Sequence, residues 1–227
     1  LGWQLMVASL FIPLVVYGYL IMGQTFPLTE RVEMGIGTKA ALKSLLTPLY
    51  LFIAVCMLLS ATTELGTTQR IESLLRETGV NALLVLAFIN GLMMIGRYFA
   101  GPISKKISTT GMLWFSALFS FIGLQLLANA SGMFVFVAAG VFAIGITFFW
   151  PTTLAFISEN IPESGAFGLS IMGGLGNLSV SIVLPVMGRF LDNSNGMQVI
   201  QTMSTLPAIL FVFYGALYFY RKKYNQT

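Results

Sequence analysis

Glu64 is the residue of this chain best placed to do chemistry in an apolar setting. It ends a stretch, 44–63, that holds no Asp, Glu, Lys or Arg. On a helix Ser60, Glu64, Thr67 and Thr68 share one face. A carboxylate flanked by hydroxyls accepts hydrogen bonds from a hydroxyl-rich solute, or takes up and releases protons. The other reading is a wet carboxylate at a helix end, paired with Arg70. Asn177 belongs to a similar stripe with Ser170, Gly173 and Ser181. Its amide offers donors and an acceptor to solute hydroxyls, or to a neighbouring helix at a small-residue contact. Asn90 sits midway along a third uncharged run, 78–96. Trp150 could lay its ring on the apolar face of a cyclic solute. The adjacent Pro151 cannot donate to the carbonyl of Thr147, so a kink is expected there. Glu64, Asn90, Trp150 and Asn177 are therefore the candidate binding residues, and Glu64 the candidate proton carrier. Pro151, Gly173 and Gly174 are candidate bending positions.

These residues need helices in lipid to position them. Uncharged runs also cover 1–29, 107–158, 164–188 and 193–220. A bilayer core about 30 Å thick takes about 20 apolar residues as a helix. Charged residues make up 9% of the chain and mean hydropathy is +0.85, where soluble domains carry about 25% charge. Seven spanning helices fit, at about 3–22, 46–68, 79–99, 109–128, 133–157, 164–188 and 199–220. Asn129-Ala130-Ser131-Gly132 divides the longest run with turn residues. Trp3 and Trp114, near span ends, suit the interfacial belt. The fold class is an all-α membrane protein.

Lys and Arg set the direction. One set of gaps holds Arg31, Lys39, Lys43, Arg97, Lys105, Lys106, Arg221, Lys222 and Lys223; the other holds Arg70, Arg76 and Arg189. Nine against three places the first set, with the C-terminus, in the cytoplasm. The chain begins with Leu, and its N-terminus would lie outside without a signal peptide, so earlier helices are expected to be missing. The expected divisions are a helix at 1–23 from an absent N-terminal half, a cytoplasmic connector at 24–45, a six-helix bundle at 46–221 and a tail at 222–227. In the connector, Pro27-Leu28-Thr29-Glu30 reads as a capped helix start, with a flexible linker as the alternative.

One helix, a long connector and six helices resemble the second half of a major facilitator superfamily transporter. Gly96-Arg97-Tyr98-Phe99-Ala100-Gly101-Pro102-Ile103-Ser104-Lys105-Lys106 resembles the superfamily's cytoplasmic loop motif, with Arg97, Gly101, Lys105 and Lys106 as its residues here. Lys105 stands where the motif has an acidic residue, and Ser108 where a second Gly is usual. Phe148-Phe149-Trp150-Pro151-Thr152, Ile161-Pro162, Gly173-Gly174-Leu175-Gly176 and Pro185-Val186-Met187-Gly188 with Asp192 look like helices of the sugar-transporting branch related to bacterial fucose, glucose and galactose permeases. Ala61-Thr62-Thr63-Glu64-Leu65-Gly66 and the connector resemble the same branch. The resemblance implies the last six helices are one half of a transporter bundle, moving a sugar or similar small polar solute by alternating access. It implies protons as the coupling ion, the bilayer and an N-terminal half as partners, and a bacterial inner (plasma) membrane.

Other classes find less support in the residues. The basic residues are spread over several loops, which is not the clustered pattern of nucleic-acid binding. With no His and one cysteine, Cys56, no metal-ligand spacing arises, and no cofactor is expected. No nucleophile–base set or nucleotide loop appears, so the expectation is that the chain is not an enzyme. A receptor or sensor on the same fold, or a transporter of another organic solute, remains the alternative.

Overall fold

The computed structural model describes residues 2–27, 32, 35, 37–104 and 106–224, which are helical with short turns. Of the helix start expected at Pro27-Leu28-Thr29-Glu30, all but Pro27 lies outside the described residues, as does the candidate residue Lys105. Helix α1 spans Trp3–Ile21, α2 Thr38–Ser44, α3 Pro48–Gln69, α4 Ala82–Tyr98, α5 Thr109–Leu127, α6 Phe134–Asn160, α7 Gly165–Asn193 and α8 Gly196–Lys223. Six of them, α1, α3, α5, α6, α7 and α8, are long and apolar enough to cross a membrane. Large apolar side chains stand exposed on their outer faces, among them Leu51, Leu84, Val137, Ile182 and Val212. Such a surface is stable only in lipid. The chain is a multi-pass membrane protein.

The expected seventh span, α4, has 17 residues, about 25 Å at 1.5 Å per residue. That falls short of the roughly 30 Å core. After Phe99 the chain continues in a short helical piece, Ala100–Ser104. Asn81 caps α4, its side-chain oxygen accepting from the Leu83 and Leu84 amides, so the helix starts later than the apolar run does. The expected single helix at 133–157 is two pieces, Phe134–Ile146 and Phe149–Asn160, with a turn at Thr147-Phe148. α7 runs on to Asn193 with Pro185 inside it, past the expected end at 188.

The helices form two rows. In the first, α4 packs on α6, α6 on α3, and α3 on α7. Behind it, α5 packs on α6 and α8, and α8 also on α3. Exchanging α3 with α6, α4 with α7 and α5 with α8 leaves these main pairings unchanged: α4–α6 becomes α7–α3, and α5–α6 becomes α8–α3; the smaller α6–α7 and α7–α8 contacts have no counterpart of their size. The α5–α6 contact is a close one. A Cβ on Gly145 would fall on the backbone of Ser120, and one on Gly123 on the backbone of Phe142. Reciprocal glycines bring two backbones together where lipid supplies no hydrophobic drive.

α1 stands apart, exposed along its length. The described end of the connector is not a free linker. α2 buries Ala41 and Ser44 and packs against Pro162–Ser164 and the start of α7.

Candidate functional site

The site grows from Pro151. Lacking an N–H, it leaves the Thr147 carbonyl without its helical donor, and the helix breaks at Thr147-Phe148. The freed carbonyl accepts a hydrogen bond from Arg97 Nε at 3.1 Å. The same guanidinium donates through Nη2 to Glu64 Oε1 at 2.9 Å. Arg97 thus ties α3, α4 and α6 together. Gly96 makes room for the approach, because a Cβ there would meet the Thr147 methyl at 2.7 Å. Glu64 and Arg97 form the one salt bridge among the described residues.

The Glu64 side chain is 6% exposed and that of Arg97 41%. The carboxylate is therefore enclosed within the bundle while the guanidinium keeps a way out. Glu64 Oε2 and the neighbouring Thr67 Oγ1 are buried with no hydrogen-bond partner. An enclosed carboxylate with one oxygen tied and one free can accept a proton without losing a second bond. α3 is itself irregular at this point, winding as a π-helical turn over Thr62–Gly66. Such bulges are frequent at functional sites. Thr63 and Thr68 turn their hydroxyls back onto the Leu59 and Glu64 carbonyls, which supports a backbone whose regular pairing is disturbed.

Two expectations are corrected here. Glu64 is not a wet helix-end carboxylate paired with Arg70; Arg70 instead donates to the Leu184 carbonyl at 3.4 Å. Arg97 is not a loop residue: it lies in the last turn of α4 and points between helices. With Arg97 removed from the loops, the basic bias between the two ends becomes eight against three.

The other candidate residues are spread over the first row. Asn90 is exposed on α4, seven residues before Arg97 and on the same face. Asn177 is exposed on α7 and its amide donates to the Gly173 carbonyl at 3.0 Å. Ser170 and Ser181 do the same to Ala166 and Asn177. This stripe is therefore turned onto its own backbone and makes no bond to a neighbouring helix. Trp150 is half-buried and rests on Gly176, where a Cβ would strike its ring at 2.6 Å. Gly176 is thus the seat of the Trp150 ring. Gly173 and Gly174 have open space above them and lie in an unbroken helix, so the bend sits at Thr147-Phe148 ahead of Pro151 and not at these glycines. Gly101 and Lys106 are exposed at the far end of the α4–α5 connection. The structure brings together Glu64, Arg97 and the carbonyl freed by Pro151. It leaves Asn90, Trp150 and Asn177 at separate positions along the row.

No family model matches the chain, and no solved structure matches it. It is similar to a protein of Cyanophora paradoxa named "Putative peptidoglycan glycosyltransferase FtsW", with 31% identity over 116 residues, covering 43% of this chain and 29% of that protein. The chain spans less than a third of the length of the relative. That name belongs to an enzyme, and it overturns the expectation that the chain is not one. The expectation rested on missing His, nucleophile–base and metal patterns, and a membrane-embedded transferase need display none of these in a single stretch of sequence.

Proposed function

We propose that this chain is one half of a secondary transporter of the major facilitator type, carrying a sugar or similar small polar solute by alternating access with protons as the coupling ion. The observation that carries the reading is that the main pairings map onto one another when α3–α5 and α6–α8 are exchanged, as expected of the inverted three-helix repeats that build such transporters. The row α4–α6–α3–α7, unbacked on the side away from α5 and α8, is then the face turned to the other half. Asn90 is exposed on this row, and Asn177, whose nitrogen is bonded to the Gly173 carbonyl, offers its amide oxygen to solute hydroxyls. Glu64 is the proton site: protonation removes its charge and weakens its hold on Arg97, while the guanidinium stays on the Thr147 carbonyl at the helix break. The end bearing Lys39, Lys43, Lys106 and Arg221 faces the cytoplasm of a bacterial inner membrane.

The match to the glycosyltransferase of Cyanophora paradoxa supports a second reading, a membrane-embedded glycosyltransferase acting on peptidoglycan precursors. Vesicles containing the full-length protein separate the two. Uptake of labelled sugars that rises with an inward proton gradient supports transport. Glycosyl transfer to a peptidoglycan acceptor, without uptake, supports the enzyme.

A further inference from the structure

Three adjoining cavities run along α5 from one end of the bundle toward its middle. The first, about 550 Å³, lies at the end and is lined by Ser104, Thr109, Thr110, Glu159, Arg221 and Lys222. The second, about 510 Å³, holds Lys106, Trp114, Phe115, Phe211 and Tyr218; it shares Ser108 and Tyr218 with the first. The third, about 480 Å³, is lined by Leu92, Ile95, Ile103, Ile107, Ile144 and Phe148. It shares Ile107 and Phe115 with the second and reaches Thr147 beside the site described above. Polarity falls along this track from charged to aromatic to aliphatic.

We propose that the track is a binding site for an anionic phospholipid of the surrounding bilayer. The phosphodiester sits in the first cavity, the glycerol region passes Trp114, and one acyl chain lies in the aliphatic groove. Arg221 and Lys222 supply positive charge, and Lys106 adds to it from the next cavity. α5, 19 residues long, begins there. Its N-terminus adds partial positive charge and free backbone N–H groups. Ser108 caps it, accepting from the Gly111 amide at 3.2 Å. Arg221 is held over the Phe156 ring at 5.3 Å, which fixes the cation at the cavity wall. Glu159, bonded by the Thr109 hydroxyl at 3.0 Å, is the one carboxylate present. It suits the hydroxyls of a glycerol headgroup as an acceptor. Trp114 lies in a stack between Phe211 and Tyr218, at the depth where an aromatic belt meets the glycerol backbone. The aliphatic groove has no polar wall beyond Thr147, which suits an acyl chain and excludes a hydrated ion.

Brominated lipids report the site directly, because Trp114 lines it. The full chain is placed in bilayers of phosphatidylcholine with increasing brominated phosphatidylglycerol, and its fluorescence is followed. Phosphatidylglycerol is expected to quench at lower mole fraction than brominated phosphatidylcholine, and Trp114→Phe removes the saturable part. The Arg221→Gln/Lys222→Gln double variant removes most of the preference, by up to about thirtyfold, the equivalent of two basic side chains at about 1 kcal/mol each. Ile144→Phe, which narrows the groove at an exposed position without adding a fluorophore and leaves the cations in place, also weakens quenching; Lys223→Gln, outside the cavities, does not. Equal quenching by the two lipids, preference for phosphatidylethanolamine over phosphatidylglycerol, or full reversal by excess inorganic phosphate would overturn the proposal.

Discussion

Replacing Arg97 with Met strands the Glu64 carboxylate. That side chain is 6% exposed and its free oxygen already lacks a partner, so its charge loses the one bond it has. A hydrogen bond to a charged group contributes about 1.5–3 kcal/mol, and removing one partner of a buried pair costs about 3–5 kcal/mol. Arg97 is 41% exposed, so part of its charge is screened and the lower end applies. Arg97→Met should cost about 3 kcal/mol, counting the lost bond to the Thr147 carbonyl as well. Glu64→Gln keeps an acceptor for the guanidinium and loses only charge, about 1 kcal/mol. The double variant should be less damaged than the sum, because nothing charged is then left buried; a coupling of about 1.5–3 kcal/mol is expected. Denaturant unfolding of the four proteins in one detergent measures all three quantities. Strict additivity, within about 0.5 kcal/mol, would show that the two side chains do not share an interaction and would refute the reasoning.

Three further outcomes follow from the same geometry. Gly145→Ala should destabilise by about 1–3 kcal/mol through overpacking against the Ser120 backbone, while Gly174→Ala, which meets open space, should leave the unfolding midpoint nearly unchanged. Pro151→Ala returns an N–H to compete with Arg97 for the Thr147 carbonyl; it should raise helix stability yet slow transport turnover more than it changes KM, and unchanged turnover would argue that the break has no role. A cysteine at Ser104 should resist an impermeant reagent in intact cells while one at Asn195 reacts, and the reverse pattern would invert the orientation.

Much of the scaffold was legible because charges are expensive in lipid: the uncharged runs located the six long spans to within a few residues. The freed carbonyl of Thr147 was legible too, since a proline's missing donor lies a fixed four residues from the acceptor it deserts. What used that carbonyl was not. Arg97 and Glu64 are 33 residues apart, and nothing local announces that α3 and α4 meet through α6. A signal was nonetheless present. Counting from the Asn81 cap, Arg97 falls about 24 Å along its helix, inside the roughly 30 Å core, so position alone argued against a loop. The π-helical turn at Thr62–Gly66 leaves no mark in composition. Gly176 could not be told from Gly173 and Gly174, because only the ring of Trp150, from another helix, distinguishes them.

The central claim is that Glu64 couples protons to solute movement, and Glu64→Gln in proteoliposomes containing the full-length protein tests it. The account predicts that the variant loses uphill, gradient-driven sugar uptake and retains exchange of labelled for unlabelled sugar, since a neutral amide leaves solute binding and helix movement intact. Full gradient-driven uptake by Glu64→Gln would contradict it.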